Sequence, residues 1–230
     1  MAIDIGGFLL NATTWVLPVL FAITLHEAAH GFVAWQLGDD TAYRQGRVTF
    51  NPLKHVDAFG TVLLPAMLLL LRAPFLFGWA KPVPVAFGRL RRPRRDMILV
   101  AAAGPATNLV LAAVSAMLFH VLWLLPDAAA SWAAQTLYNS ILLNLVLAVF
   151  NMLPLPPLDG GRVAIGLLPR ELALPLARLE RYGFLILIGL IFILPLIGAQ
   201  LGFDLNLFFV IVWTPVMWLL PAFAALAGIG

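Results

Sequence analysis

Apolar runs of membrane length alternate with short polar stretches along this chain. Residues 8–37 form the first run, in which Glu27 is the single formally charged side chain. A bilayer span needs about 20 apolar residues, so this run predicts a membrane helix, ended by Gly38-Asp39-Asp40. Pro18 is tolerable inside it, because neighbouring helices satisfy a freed carbonyl in a membrane bundle. Similar runs predict helices over 97–125, 132–153, 182–198 and 206–225. The intervening pattern differs. Residues 41–55, TAYRQGRVTFNPLKH, are polar and β-prone, and predict a short strand or hairpin closed by Asn51-Pro52. Residues 58–71 are apolar but short for a span, and Pro65 interrupts them. Pro82 and Pro84 exclude a helix over 75–87 and suit an extended edge segment. Residues 162–181 are amphipathic. The pattern predicts one membrane-embedded domain over 1–230, an all-α polytopic membrane protein with short membrane-associated β-strands. About five full spans are expected, plus one re-entrant or embedded segment.

Composition agrees with this reading. The chain has 62% hydrophobic and 11% charged residues and a mean hydropathy of +0.97, whereas soluble domains carry about 25% charged residues. There is no cysteine, so neither disulfides nor thiolate ligands are available. The N-terminus, MAIDIGGF, lacks the basic start of a secretory leader, and no removable leader is expected.

Charge placement predicts topology. Of the 14 Lys and Arg residues, ten fall between Arg44 and Arg95 and four between Arg162 and Arg181. Basic loops mark the cytoplasmic side. All of them share that side if residues 56–80 make no net crossing. The N-terminus is then outside and Gly230 inside. The cluster RLRRPRRD at 89–96 can suggest nucleic acid, but beside a membrane helix it fits anionic headgroups of the bilayer, and no nucleic-acid partner is expected.

The candidate chemistry lies at residues 26–30, HEAAH. Residues four apart share a helix face, so His26 and His30 can bind one metal ion while Glu27 deprotonates a water. Ionisable groups inside a membrane helix are costly and are functional by default. In the predicted topology the end of the first helix and Asp159, beyond the 132–153 helix, lie at similar depth on the cytoplasmic side. Asp159 can therefore complete a His26, His30, Asp159 zinc site with an open fourth position. His55 and Asp57 are read as solvated loop residues. Asn139, Asn144 and Asn151 either line a water path or hydrogen-bond between helices.

Three separated motifs, HEAAH at 26–30, GPATN at 104–108 and NMLPLPPLDG at 151–160, give the chain a specific likeness. It resembles the site-2 protease family of intramembrane zinc metalloproteases, and GWAKPVPV at 78–85 is similar to that family's short bacterial branch, without PDZ or CBS domains. The resemblance implies one Zn2+ on His26, His30 and Asp159, with Glu27 as acid/base. It implies that Asn151 contacts substrate or the developing oxyanion, and places Asn108 near the site, either as a substrate contact or as a residue that packs or hydrogen-bonds there. It further implies regulated intramembrane proteolysis of a single-span membrane-protein substrate. Such a substrate must be held extended for cleavage. Residues 41–50 and 79–87, tested at Val48 and Val85, are the candidate strands for that. A metal transporter or a non-catalytic membrane scaffold are the alternatives.

Overall fold

The computed structural model describes residues 5–63, 66, 67, 70 and 80–229. Helix α1 runs from Ile5 to Gln36, and α2 is a single turn, Thr41–Arg44. Next come α3 (Pro93–Leu118) and α4 (Asp127–Asn151). The short helices α5 (Asp159–Leu167) and α6 (Arg170–Arg178) follow. The chain ends with α7 (Glu180–Leu201) and α8 (Leu207–Ala227). Five of these, α1, α3 extended to Leu124, α4, α7 and α8, are long and apolar enough to cross a membrane. Their outward faces are apolar, with Phe21, Val110 and Trp218 among the exposed side chains, as lipid contact requires.

Local chemistry sets the ends of these helices. Pro93 opens α3, where its missing N–H costs nothing. The Asp96 carboxylate reaches back to accept the Arg92 N–H at 2.7 Å. Asn206 caps α8 by accepting the Phe209 N–H, and Gly228 ends it in the left-handed region at φ 72°.

Helices α1, α3 and α4 pack on one another, and α8 lies along α3 and α4. Ala112, Ala116, Ile141, Leu145 and Val216 form the buried core there. The small residues let the helix backbones approach closely. Arg91 N–H donates to Leu37 C=O at 3.0 Å, so the chain leaves α1 and starts α3 at the same end of the bundle. That shared end is the arrangement under which the charge pattern keeps all the basic residues on one side. Most of the expected embedded segment, 64–79, falls largely outside the described residues. Its beginning, Ala58–Leu63, is a helical turn.

Two expectations differ from the structure. Among the described residues no β-ladder forms. At Thr41 the Asp39 carboxylate accepts both the backbone N–H (3.1 Å) and the hydroxyl (2.5 Å), which starts a helical turn instead of a strand. Residues 80–86 lie outside any helix but pair with no strand among the described residues: the Lys81 amide bonds a loop carbonyl, and those of Val83 and Ala86 bond side-chain carboxylates. The second difference concerns the C-terminus. Phe208 at the start of α8 packs on Phe150 at the metal-site end of α4, with ring centroids 5.6 Å apart. The Leu226 carbonyl near its finish meets His120, beyond α3, at 2.9 Å. Thus α8 ends at the end of the bundle opposite the metal site, not beside it. Helix α7 is long and apolar enough to span, and Gly183 near its start and Phe208 just after it both contact the metal-site end of the bundle.

Candidate active site

Helix periodicity puts His26 and His30 on the same face of α1, against α3. His26 Nδ1 is 2.6 Å from Asn108 Oδ1, and His30 Nδ1 is 2.7 Å from the Val100 carbonyl. Both partners are acceptors, so each imidazole donates through Nδ1 and turns the lone pair of Nε2 inward. Those two Nε2 atoms are 3.0 Å apart. Gly104 leaves room for them: a Cβ there would lie 2.5 Å from His30 Nε2 and 2.6 Å from His26 Nε2.

Asp159 arrives from the other side. Prolines 154, 156 and 157 end α4 and turn the chain, and Asp159 is the first residue of α5. The glycines after it allow the tight return. A Cβ at Gly160 would be 2.2 Å from the Met152 carbonyl oxygen, and one at Gly161 2.3 Å from Pro156 N. Asp159 Oδ2 lies 3.2 Å from His26 Nε2 and 3.3 Å from His30 Nε2. An aspartate is ordinarily a carboxylate at neutral pH, so Asp159 offers an anionic oxygen beside the two imidazoles.

These three atoms fit a metal. With both Nδ1 positions donating, the inward set contains only electron pairs, and Asp159 Oδ2 is buried without a hydrogen-bond partner. Three converging acceptors repel unless a cation joins them. Ligands bound tetrahedrally at about 2.0–2.1 Å stand roughly 3.3 Å apart, close to the separations here.

Glu27 lines the same cavity, of about 560 Å³, with Asn151, Pro82, Val83, Val85 and Phe87. Its Oε2 accepts the Val83 N–H at 2.7 Å. Asn151 spends one amide hydrogen on the Leu147 carbonyl (3.0 Å). The other predicted residues lie elsewhere. Asn108 is fully buried behind His26 and does not line the cavity, so it touches the imidazole and not the cavity contents. Val48 packs over Gly31 and is also absent from the wall, whereas Val85 is part of it. Asn139 and Asn144 bond between helices, to Thr14 and Asn108.

The segment 80–86 is pinned by groups that the sequence reading passed over. Asp39, with no exposed surface, accepts the Ala86 N–H at 2.6 Å. Arg47 Nη2 donates to the Lys81 carbonyl at 2.7 Å, and the Lys81 N–H donates to the His55 carbonyl at 2.9 Å. His55 is buried, not solvated, and burial pushes its pKa below the ordinary histidine value. It stays outside the metal cluster. The sequence offered one signal for Asp39, an acidic residue directly after a membrane helix.

Such a bundle of apolar helices, with two imidazoles, a carboxylate and an adjacent glutamate around one cavity, fits a membrane metallopeptidase. Comparison with known proteins agrees. The sequence profile of peptidase family M50 matches residues 126–196. YwhC of Bacillus subtilis strain 168 is 41% identical over 185 residues, covering 79% of this chain and 80% of the relative. Rip2 of Mycolicibacterium smegmatis is 32% identical over 187 residues, covering 81% and 68%. Both carry provisional names as zinc metalloproteases. No solved structure matches the chain at a significant level. The chain belongs to peptidase family M50, the site-2 protease family, and is a multi-pass membrane metalloprotease.

Proposed function

We propose that the chain is an intramembrane zinc metalloprotease that hydrolyses peptide bonds in or near the transmembrane segment of single-span membrane proteins, the chemistry of regulated intramembrane proteolysis. The reading is carried by the convergence of His26 Nε2, His30 Nε2 and Asp159 Oδ2 beside Glu27 in one largely apolar cavity. His26, His30 and Asp159 hold one zinc ion and leave a position open for water or substrate. When bound, zinc acidifies water and polarises a carbonyl. Glu27 takes the proton of the attacking water and returns it to the leaving amine. Asn151 has one amide hydrogen left after its bond to Leu147, and that hydrogen serves the developing oxyanion.

A transmembrane helix shields its own backbone, so the scissile stretch must unwind and be held extended. Residues 80–86 suit this task by β-augmentation. Prolines 82 and 84 supply no donors, while the amides of Lys81, Val83 and Ala86 are already bonded, which leaves the N–H groups of Ala80 and Val85, two residues that line the cavity, without a partner among the described residues. The described basic residues of the loops cluster at the metal-site end, which supports a cytoplasmic-facing site with the start of α1 outside.

Zinc content and cleavage of a panel of single-span substrates, measured on the purified chain in detergent, test the reading. About one zinc per chain in wild type and Glu27→Gln, with cleavage reduced at least about 10²-fold in the variant, is expected. Undiminished cleavage by Glu27→Gln removes the proposal.

A further inference from the structure

A string of polar side chains runs from His26 into the apolar bundle. His26 Nδ1 meets Asn108 Oδ1 on α3 at 2.6 Å. Asn108 Nδ2 meets Asn144 Oδ1 on α4 at 2.8 Å and the Ala22 carbonyl at 3.3 Å. Asn144 Nδ2 meets the Ser140 carbonyl at 2.8 Å and the Ser140 hydroxyl at 3.3 Å. Asn108 is 0% and Asn144 1% exposed, so water cannot replace any of these partners.

Each amide in such a string can point two ways, and each neutral imidazole has two tautomers. Here the direction is set from the far end. The Ser140 carbonyl can only accept, so Asn144 must show it the amide nitrogen. Asn144 Oδ1 then faces Asn108 and requires a donor, which Asn108 Nδ2 supplies at 2.8 Å, with the Ala22 carbonyl only a weaker acceptor at 3.3 Å. Asn108 Oδ1 is left for His26, and Nδ1 must carry the proton. The Nε2 lone pair is thereby fixed toward His30 and Asp159. His30 needs no such relay, because the Val100 carbonyl sets its tautomer directly.

We propose that Asn144, which touches neither cavity nor metal ligand, is a positioning residue for the metal: through Asn108 it fixes the tautomer and ring orientation in which His26 binds. This rests on His26 being a zinc ligand, as proposed above. Groups that orient a ligating histidine commonly set metal affinity by about 10–100-fold. The relay also makes an unusual distinction. The orienting atom of Ser140 is its main-chain oxygen, so the Ser140 side chain is dispensable while that of Asn144 is not.

The test uses the full chain in detergent, as wild type, Asn108→Leu, Asn144→Leu and Ser140→Ala. Zinc affinity is measured by competition with a chelator. The histidine ring nitrogens of the zinc-free protein are read by 15N NMR at about pH 9, well above the usual imidazole pKa. Asn108→Leu should weaken zinc about 10–100-fold, Asn144→Leu about tenfold, and Ser140→Ala less than twofold. The zinc-free wild type should show His26 as the Nδ1–H tautomer alone. Asn144→Leu should turn it into a mixture and leave His30 unchanged, which a general loosening of the bundle would not do. Unchanged affinity and tautomer in Asn144→Leu overturn the proposal. If that variant does not fold, an Nε2–H tautomer of His26 in the wild type overturns it equally. A wild type without zinc at His26 would instead count against the zinc reading, while the tautomer measurement still decides the relay.

Discussion

The two walls of the cavity are built by opposite means. On the metal side, side chains from helices converge, each held by a group on a neighbouring helix: Asn108 and Val100 behind the imidazoles, and a proline-glycine turn beneath Asp159. On the facing side, residues 80–86 contribute main chain, and the side chains that matter belong to other segments: Glu27, Asp39 and Arg47. The first wall fixes a point to a fraction of an ångström, as metal binding requires. The second sets a non-helical backbone beside that point, which on the proposed reading serves a peptide partner. Changes on the first wall should therefore appear in zinc content, and changes on the second in substrate handling with zinc intact.

The largest effect should come from Asp159→Ala, which strips one ligand of three. Zinc should fall from about one per chain to near none under competition with a chelator, with loss of cleavage. Retained zinc would break the contrast at its root. Gly104→Ala should come next. Its methyl group would overlap both imidazoles, so zinc affinity should drop about 10–100-fold. Gly189→Ala, at a helical glycine with open space around it, is the matched control and should change nothing. On the other wall, Asp39→Ala strands the Ala86 amide and both Thr41 donors and should destabilise by about 1–3 kcal/mol. It should quicken hydrogen exchange across 80–86 and raise KM while zinc stays bound; an unchanged exchange pattern would show that the segment is held otherwise. Val85→Pro removes a donor on that wall that has no partner among the described residues and should raise KM several-fold, about the worth of one hydrogen bond. The smallest effect belongs to Val48→Ala, whose side chain packs over Gly31 away from the cavity; KM should move by less than about twofold.

The same contrast explains what was legible in the sequence. The metal wall is written in residue types: two histidines at helical spacing, and an aspartate whose depth follows from the charge pattern. The helices follow from hydropathy, with boundaries displaced by a few residues. The facing wall is written in main-chain atoms, and residue identity says little about which amide meets which carboxylate. Asp39 looked like a helix terminator, and it is one, but it also anchors Ala86, 47 residues away. β-Propensity at 41–50 lost to a local competitor, the Asp39 carboxylate bonding Thr41. Asn108 left two readings open for a similar reason: a polar residue beside a site can serve the ligand or the occupant, and here it bonds the His26 imidazole. The direction of α8 could not be read either, because an apolar segment advertises its solvent but not whether it changes sides.

Helix α7 rests on the metal side at a point of very close approach. A Cβ on Gly183 would lie 2.0 Å from the Pro156 carbonyl oxygen. Only 11% of its apolar stretch is buried, yet Leu187, Ile188 and Ile191 line the cavity. Mechanically this is a lever on a fulcrum. Ile191 lies eight residues from Gly183, an arm of about 12 Å, so a tilt of roughly 23° sweeps it through about 4.7 Å. That distance is the spacing between paired strands. Room for one extended segment beside 80–86 is thus within reach of a rigid swing that leaves the metal wall in place. The contact point lies on the turn that carries Asp159, so a tilt of α7 about it would be felt at the third ligand.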